Sequence, residues 1–425
     1  MGRLHSWSTS RRADLWLLGL LLVCLPILEV PKTIFAVLLI LVAGVPAVVR
    51  DIRLGRAPDA LGWALLAMLG VSIASTAVNW PFPSRLKGSY DTFIYTAVFW
   101  TVYRSAWREE EKTWLAGAAV LGVLLGLAWG IVAVWQGREQ TLELHSVGVV
   151  THSAIYLGIV LMIAVSLGTL GPNAGRTWLG VSAMLLAGLL LMASRGAILA
   201  VAVIGTLVMI RAGRPRLWVG SCAAAAILLL VVVQMPNTFS QHRFLTKMTH
   251  FLTTGRLDAN DTVRATIWRI GMAQVTQGHT LWLGVGPQNF WTIDVARLAF
   301  DPPIDPSRVP MTHPHNLFLT KLTEEGIAGL AALLVFFGLI GRRLIVDRKL
   351  GKRNDWTWGA AVGALGVPII AGSFTTPWYH EHAILAMIWL GLYLAPLPDA
   401  EVGVVRPHDR SVAGMAPHPY VKVGS

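Results

Sequence analysis

Runs of about 20 mostly apolar residues recur from one end of this chain to the other, and that recurrence decides what it can fold into. Apolar residues make up 54% of the 425, and mean hydropathy is +0.59. One soluble core of this length cannot hold so much hydrophobic surface, so the bilayer must act as solvent. A hydrocarbon layer about 30 Å thick is crossed by helices because they satisfy their own backbone groups. The runs are Leu15 to Val30, Thr33 to Val49, Ala60 to Val78, Tyr90 to Val102, Trp114 to Trp135, Ser153 to Leu170, Trp178 to Ala193, Ala197 to Ile210, Leu217 to Met235, Leu317 to Ile340, Trp356 to Phe374 and Ala383 to Leu394. The expected fold is therefore an all-α integral membrane protein of about twelve transmembrane helices.

Lys and Arg in short loops set the orientation. Arg3, Arg11 and Arg12 precede the first run, Arg50, Arg53 and Arg56 follow the second, and Arg104, Arg108 and Lys112 follow the fourth. Arg211, Arg214 and Arg216 follow the eighth, and the largest cluster, Arg342 to Arg353, follows the tenth. Alternate threading puts all of these on one face, which places both termini in the cytoplasm. The net charge of +12 and pI near 10.1 are then accounted for by cytoplasmic loops, and no nucleic-acid partner is expected. No cleaved leader is expected either, since Glu29-Val30-Pro31-Lys32 has no small-x-small site and another span follows. Cys24 and Cys222 fall inside spans, which points to neither a disulfide nor a thiolate metal site.

The chain divides into residues 1–235, with nine spans; a large polar loop, 236–316, on the periplasmic side; residues 317–396, with three more spans; and a flexible cytoplasmic tail, 397–425. Within the loop, Val263, Ile267, Ile270 and Val275 form a helical stripe starting near Asp261-Thr262, and Leu283-Gly284-Val285-Gly286-Pro287 reads as a turn.

The sharpest motif is His313-Pro314-His315-Asn316, with Gly326 and Gly329 eleven and fourteen positions after His315. On a continuous helix these distances are close to three and four whole turns, so both glycines would fall beneath the histidine on one face and admit a neighbouring helix. A histidine at the positive end of a helix favours neutral imidazole, which suits a general base. The alternative is an interfacial histidine that caps the span. His313 competes with His315 for the base role.

Arg195 is the only charged residue between Arg176 and Arg211, in Ser194-Arg195-Gly196 between two spans. An ionisable group there is a functional candidate, against the reading of an arginine that snorkels to headgroups. Arg264 and Trp268 lie one turn apart on the loop helix and share a face, against the reading of a solvated basic face. Guanidinium groups suit a lipid diphosphate, because they are fixed, always charged and able to bridge phosphate oxygens. Threading puts Arg195, Arg264 and His315 on the same side. Asp258 and Asp261 form no Asp-x-Asp pair, and no metal site is expected. Trp378-Tyr379-His380-Glu381-His382 contains a possible ligand pair, against the reading of aromatics and histidines as ordinary interface anchors at a span end.

His315-Asn316, nine residues, then Gly326-x-x-Gly329 resembles the signature of the O-antigen ligases. The large loop before the motif and Ser194-Arg195-Gly196 between earlier spans are similar too. The resemblance implies a GT-C-like membrane glycosyltransferase of the bacterial inner membrane, without cofactor or metal. Its reaction would be inverting transfer of polysaccharide from undecaprenyl diphosphate to a sugar of lipid A-core at the periplasmic face, completing lipopolysaccharide. His315 would be the catalytic base, and Arg195 and Arg264 the essential arginines, with Arg269 close enough to Arg264 to compete for that assignment. His313, Trp268, Arg269 and Asn316 would bind substrate, while Gly326 and Gly329 would be structural. An O-antigen polymerase would use the same carrier. A lipid or solute transporter would instead place its unusual residues near the midplane of paired spans.

Overall fold

A computed structural model describes residues 2–79, 85–171, 175–214, 220, 223, 259–276, 280–300, 304, 305, 307, 309, 311–350, 354–375, 378 and 381–396. The run Leu217 to Met235 (save 220 and 223), loop residues 236–258 and the tail 397–425 lie outside the described residues. Among those described, regular structure is helical, with one isolated bridge between Leu144 and Gly148 and no strand.

The helices are α1 (Gly2–Cys24), α2 (Glu29–Leu39), α3 (Val45–Arg53), α4 (Ala60–Val78), α5 (Arg85–Arg104), α6 (Glu109–Trp135), α7 (Val150–Leu170), α8 (Arg176–Leu191), α9 (Arg195–Arg211), α10 (Ala259–Val275), α11 (Thr280–Leu283), α12 (Leu317–Lys349), α13 (Asp355–Gly372) and α14 (Glu381–Leu394). A π-helical turn, Ile40–Gly44, joins α2 to α3 in one rod. Among the described residues, five helices are long and apolar enough to cross a membrane: the α2–α3 rod, α4, α6, α7 and α12. The apolar parts of α1, α8 and α14 are shorter. The first apolar run, read through to Val30, stops as a helix at Cys24, and Pro26, which has no N–H to donate, sits in the turn before α2.

Helix α7 is the axis of the bundle. Its apolar window is 94% buried, against 28% for the α2–α3 rod, so protein surrounds the first and the second faces outward. Helix α13 lies close against α7 because Gly359 and Gly363 leave room: a Cβ on Gly359 would meet Ser166 Oγ at 2.5 Å, and one on Gly363 would meet Met162 Cβ at 2.4 Å. Such spacing of small residues lets helix backbones approach, which is the main packing device where lipid offers no hydrophobic driving force.

The loop helix α10 buries the face the sequence stripe marks out. Ile267, Ile270, Phe290, Ile293, Val295 and Leu298 form a small core of their own, separate from the membrane core. What fastens this body to the bundle is an interruption in α12. The even register expected for Gly326 and Gly329 requires an unbroken helix, but Gly326 has φ 70° and ψ −168°, outside helical geometry. The break frees backbone carbonyls, and the turn after α11 satisfies them: Val285 N–H donates to Thr323 O at 3.0 Å and Gly286 N–H to Glu324 O at 2.9 Å. Asn79 and Ser75 at the end of α4 bond to the carbonyls of Gly284 and Glu324. Gly326 thus admits the backbone of Trp282 and Leu283, not a long neighbouring helix as the spacing implies.

A Cβ at Gly326 would lie 2.2 Å from the Trp282 carbonyl, in a conformation open only to glycine. Gly326→Ala is expected to cost at least about 1–3 kcal/mol, whereas Gly338→Ala, in open space on the same helix, is expected to be neutral or mildly stabilising. Thermal unfolding of the two detergent-solubilised variants checks the contrast. Equal Tm values would remove the role given to the break.

Candidate functional site

The site is built around the last turn of α13. A helix ends with carbonyls that have no intrahelical partner and with the negative pole of its dipole. At Ser373, Phe374 and Thr375 these groups collect donors from distant parts of the chain. Asn316 Nδ2 donates to Ser373 O at 2.7 Å, Arg264 Nη1 to Phe374 O at 3.5 Å, and the His315 ring is hydrogen-bonded to the Thr375 backbone. Gly196, next to Arg195, packs against the same turn: a Cβ there would stand 3.4 Å from Thr375 Cγ2. The sequence neighbourhoods of Arg195, Arg264 and His315 therefore meet on one three-residue segment.

Each side chain is fixed by a local cause. Asn316 caps α12, its Oδ1 accepting from Phe318 N–H at 3.0 Å and Leu319 N–H at 2.9 Å while its amide holds α13. Protein groups thus engage both ends of the Asn316 amide. Trp268 donates its indole N–H to Pro314 O at 2.7 Å, so α10 grips the chain between the two histidines. Arg264, one turn earlier on α10, is thereby aimed at them. Arg269 points elsewhere, with its guanidinium carbon 5.7 Å from the centroid of the Phe300 ring. Arg195 is exposed on the first turn of α9, and Ala193, two residues before it, has φ 51°. That residue breaks the chain between α8 and α9 and keeps the two apolar runs separate helices.

His315 has φ 51° as well. A left-handed backbone at a non-glycine residue is costly and persists where surroundings over-determine it. Here they do: the Asn316 cap, the Trp268 bond and the Thr375 bond all act within two residues. The rings of His313 and His315 lie 4.2 Å apart, and the row continues to His152 at 6.5 Å from His313 and on to His382 at 5.7 Å from His152. Both added histidines are buried. Sequence reasoning passed over His152, which stands singly at the start of a span, and set His382 aside with the aromatic cluster taken as anchors. Trp378 of that cluster is no surface anchor but is 1% exposed and meets Phe337 edge to face. Tyr379 and His380 lie outside the described residues, as does Asp258. Among the described residues no three His, Cys, Asp or Glu side chains are grouped as a metal site.

Electrostatics favour neutral rings. Burial pushes His313 down to about 3, helped by His315 and Arg264. His315 is also lowered, by burial first and then by Arg264, while its Thr375 bond works in the opposite direction. Two uncharged imidazoles beside a cation can accept a proton, and of the two His315 holds it more firmly.

This combination defines a class: a polytopic helical membrane protein in which a loop body with its own small core brings an arginine to a histidine at the start of a long apolar helix. Residues 180–334 match the family model described as O-antigen ligase. The resemblance read from the motif is thus shown over this stretch, which contains Arg195, Arg264, Trp268, His313, His315, Gly326 and Gly329, and it supports a ligase- or polymerase-like glycosyltransferase function. A comparison with curated proteins found no match for the chain.

If Arg264 presses on His315, the imidazole should titrate below its ordinary value of about 6.5. A lowered pKa means the ring stays neutral as pH falls and gains its proton only at the lower midpoint. Arg264→Gln removes the cation that opposes imidazolium and should move that midpoint upward, read by NMR titration of labelled histidine. An unmoved midpoint would separate the two residues.

Proposed function

We propose that the chain is an O-antigen ligase that transfers polysaccharide from undecaprenyl diphosphate to a sugar hydroxyl of lipid A-core. The reaction would be inverting and metal-independent, at the periplasmic face of the bacterial inner membrane. The reading includes a GT-C-like bundle of about twelve spans, nine before residue 236 and three after 316, with both termini cytoplasmic and the loop 236–316 in the periplasm.

The observation that carries it is the meeting of the His315 and Arg264 side chains, with the Arg195-Gly196 turn, on residues 373–375. In this mechanism neutral His315 takes the proton of the acceptor hydroxyl as its oxygen forms the new bond to the anomeric carbon. The bond from that carbon to phosphate breaks, and its electron pair leaves on the diphosphate. Arg264 and Arg195 bind the diphosphate and stabilise the charge that grows on it. Trp268 positions His315 through Pro314, and Asn316 does so by capping the helix beneath it. Arg264 is preferred to Arg269 because it faces the histidines, and His315 to His313 because it is the less deeply buried and the stronger base.

The test is transfer by purified protein from a carrier-linked glycan to lipid A-core. His315→Ala should lower the rate by about 10²–10⁴-fold, as loss of general-base catalysis does. Arg264→Ala and Arg195→Ala should do likewise, while Arg269→Ala stays near wild type and chelator changes nothing. Near-normal transfer by His315→Ala would end the proposal. Carrier-linked chains that lengthen while lipid A-core stays unmodified would identify a polymerase instead.

A further inference from the structure

The histidine row runs from Arg264 past His315 and His313 to His152 and His382, and the transfer mechanism uses only one end of it. At the other end, Glu381, adjacent to His382 in the chain, lines a half-open cavity of about 680 Å³. Sites for small molecules and cofactors occupy about 300–1,000 Å³. The walls come from the starts of α2, α5 and α14, with Glu29, Lys32, Lys87, Tyr90 and Asp91 among them.

The chemistry of these walls selects a ligand class. Lys32 is already engaged, its ammonium donating to Glu381, to Ser146 Oγ at 2.7 Å and to Ser146 O at 3.0 Å, one acceptor for each of its protons. Two lysines against three carboxylates leave a formal charge of minus one, which disfavours a phosphate. Carboxylates accept bonds from hydroxyls, Lys87 donates to them, and the half-exposed ring of Tyr90 offers an apolar face. Carboxylate, amine and aromatic face together suit a saccharide. Asp91 also accepts from Gln288 Nε2 at 2.7 Å, and Gln288 N–H donates to Glu324 Oε2 at 2.8 Å, so the wall is tied to the loop body that carries Arg264.

We propose that this cavity is a saccharide subsite that holds the acceptor glycan. This rests on the transfer mechanism above, in which inversion requires the attacking oxygen to approach opposite the leaving diphosphate. With the arginines gripping the diphosphate at one end of the row, the acceptor enters from the other. The same hydroxyl chemistry belongs to the donor glycan, so the test separates the two.

Tyr90→Ala, Lys87→Ala and Asp91→Asn, made in the full-length protein in nanodiscs and accepted only where unfolding matches wild type, are assayed for transfer. The acceptor KM should rise by about tenfold, while kcat and the donor KM change by less than about twofold. A second arm uses His315→Ala as background and measures binding of a deacylated core oligosaccharide by calorimetry. The same substitutions should weaken it by about tenfold. Unchanged acceptor KM together with unchanged oligosaccharide affinity overturns the subsite, and a rise confined to the donor KM assigns the cavity to the donor glycan and overturns the acceptor assignment. Should wild-type protein form no product at all, the transfer mechanism fails, and the binding arm alone then decides whether the cavity holds sugar.

Discussion

The carbonyls at the end of α13 are the constraint from which the site follows. Helix ends must find donors for their last carbonyls, and inside a membrane protein water is a poor source of them. Ser373 and Phe374 obtain theirs from Asn316 and Arg264, residues 57 and 110 positions away in the chain. Satisfying a backbone need thereby draws a cation from the loop body and the cap of a second apolar helix to one point. The negative pole of the α13 dipole adds to the attraction for the guanidinium. In the proposed reaction a substrate phosphate would meet a cation already held in place by backbone, which would lower the ordering cost of binding.

The same juxtaposition governs the histidines. Partial burial favours the neutral form of both imidazoles, and the arginine beside them reinforces the effect. The pair is graded by depth: the deeper ring, His313, is the poorer proton acceptor. Arrangement on a left-handed backbone at His315 adds strain, and that strain is borne by three hydrogen bonds from three separate elements.

Much of the fold was readable in the chain because the bilayer dictates it: a run of apolar residues long enough to cross has few alternatives to a helix. Ten of the twelve runs coincide with helices among the described residues, the first breaks off at Cys24, and five of the helices are long and apolar enough to cross; the loop stripe at Ile267 and Ile270 is buried as its spacing requires. The motif at His315 and Asn316 was equally plain. Other features were not, for physical reasons. Gly326 is compatible with a helix, and only the docking of Val285 and Gly286 onto freed carbonyls favours the break. Residues 373–375 act through backbone atoms, which carry no sequence signal. Arg264 and Arg269 are distinguishable by face only once the loop body has a position. His152 stood alone in the sequence and His382 sat among interface anchors until the bundle brought His152 beside His313 and His382 beside His152.

The interruption of α12 has a mechanical meaning. The segment from Asn316 to Glu325 is bonded to the loop body and to α13, whereas the longer segment beyond Gly326 runs on as a rod to Lys349. One glycine in a non-helical conformation joins them. A tilt imposed on the rod by a bilayer would fall on that joint, whereas the short segment stays bonded to the loop body and to α13.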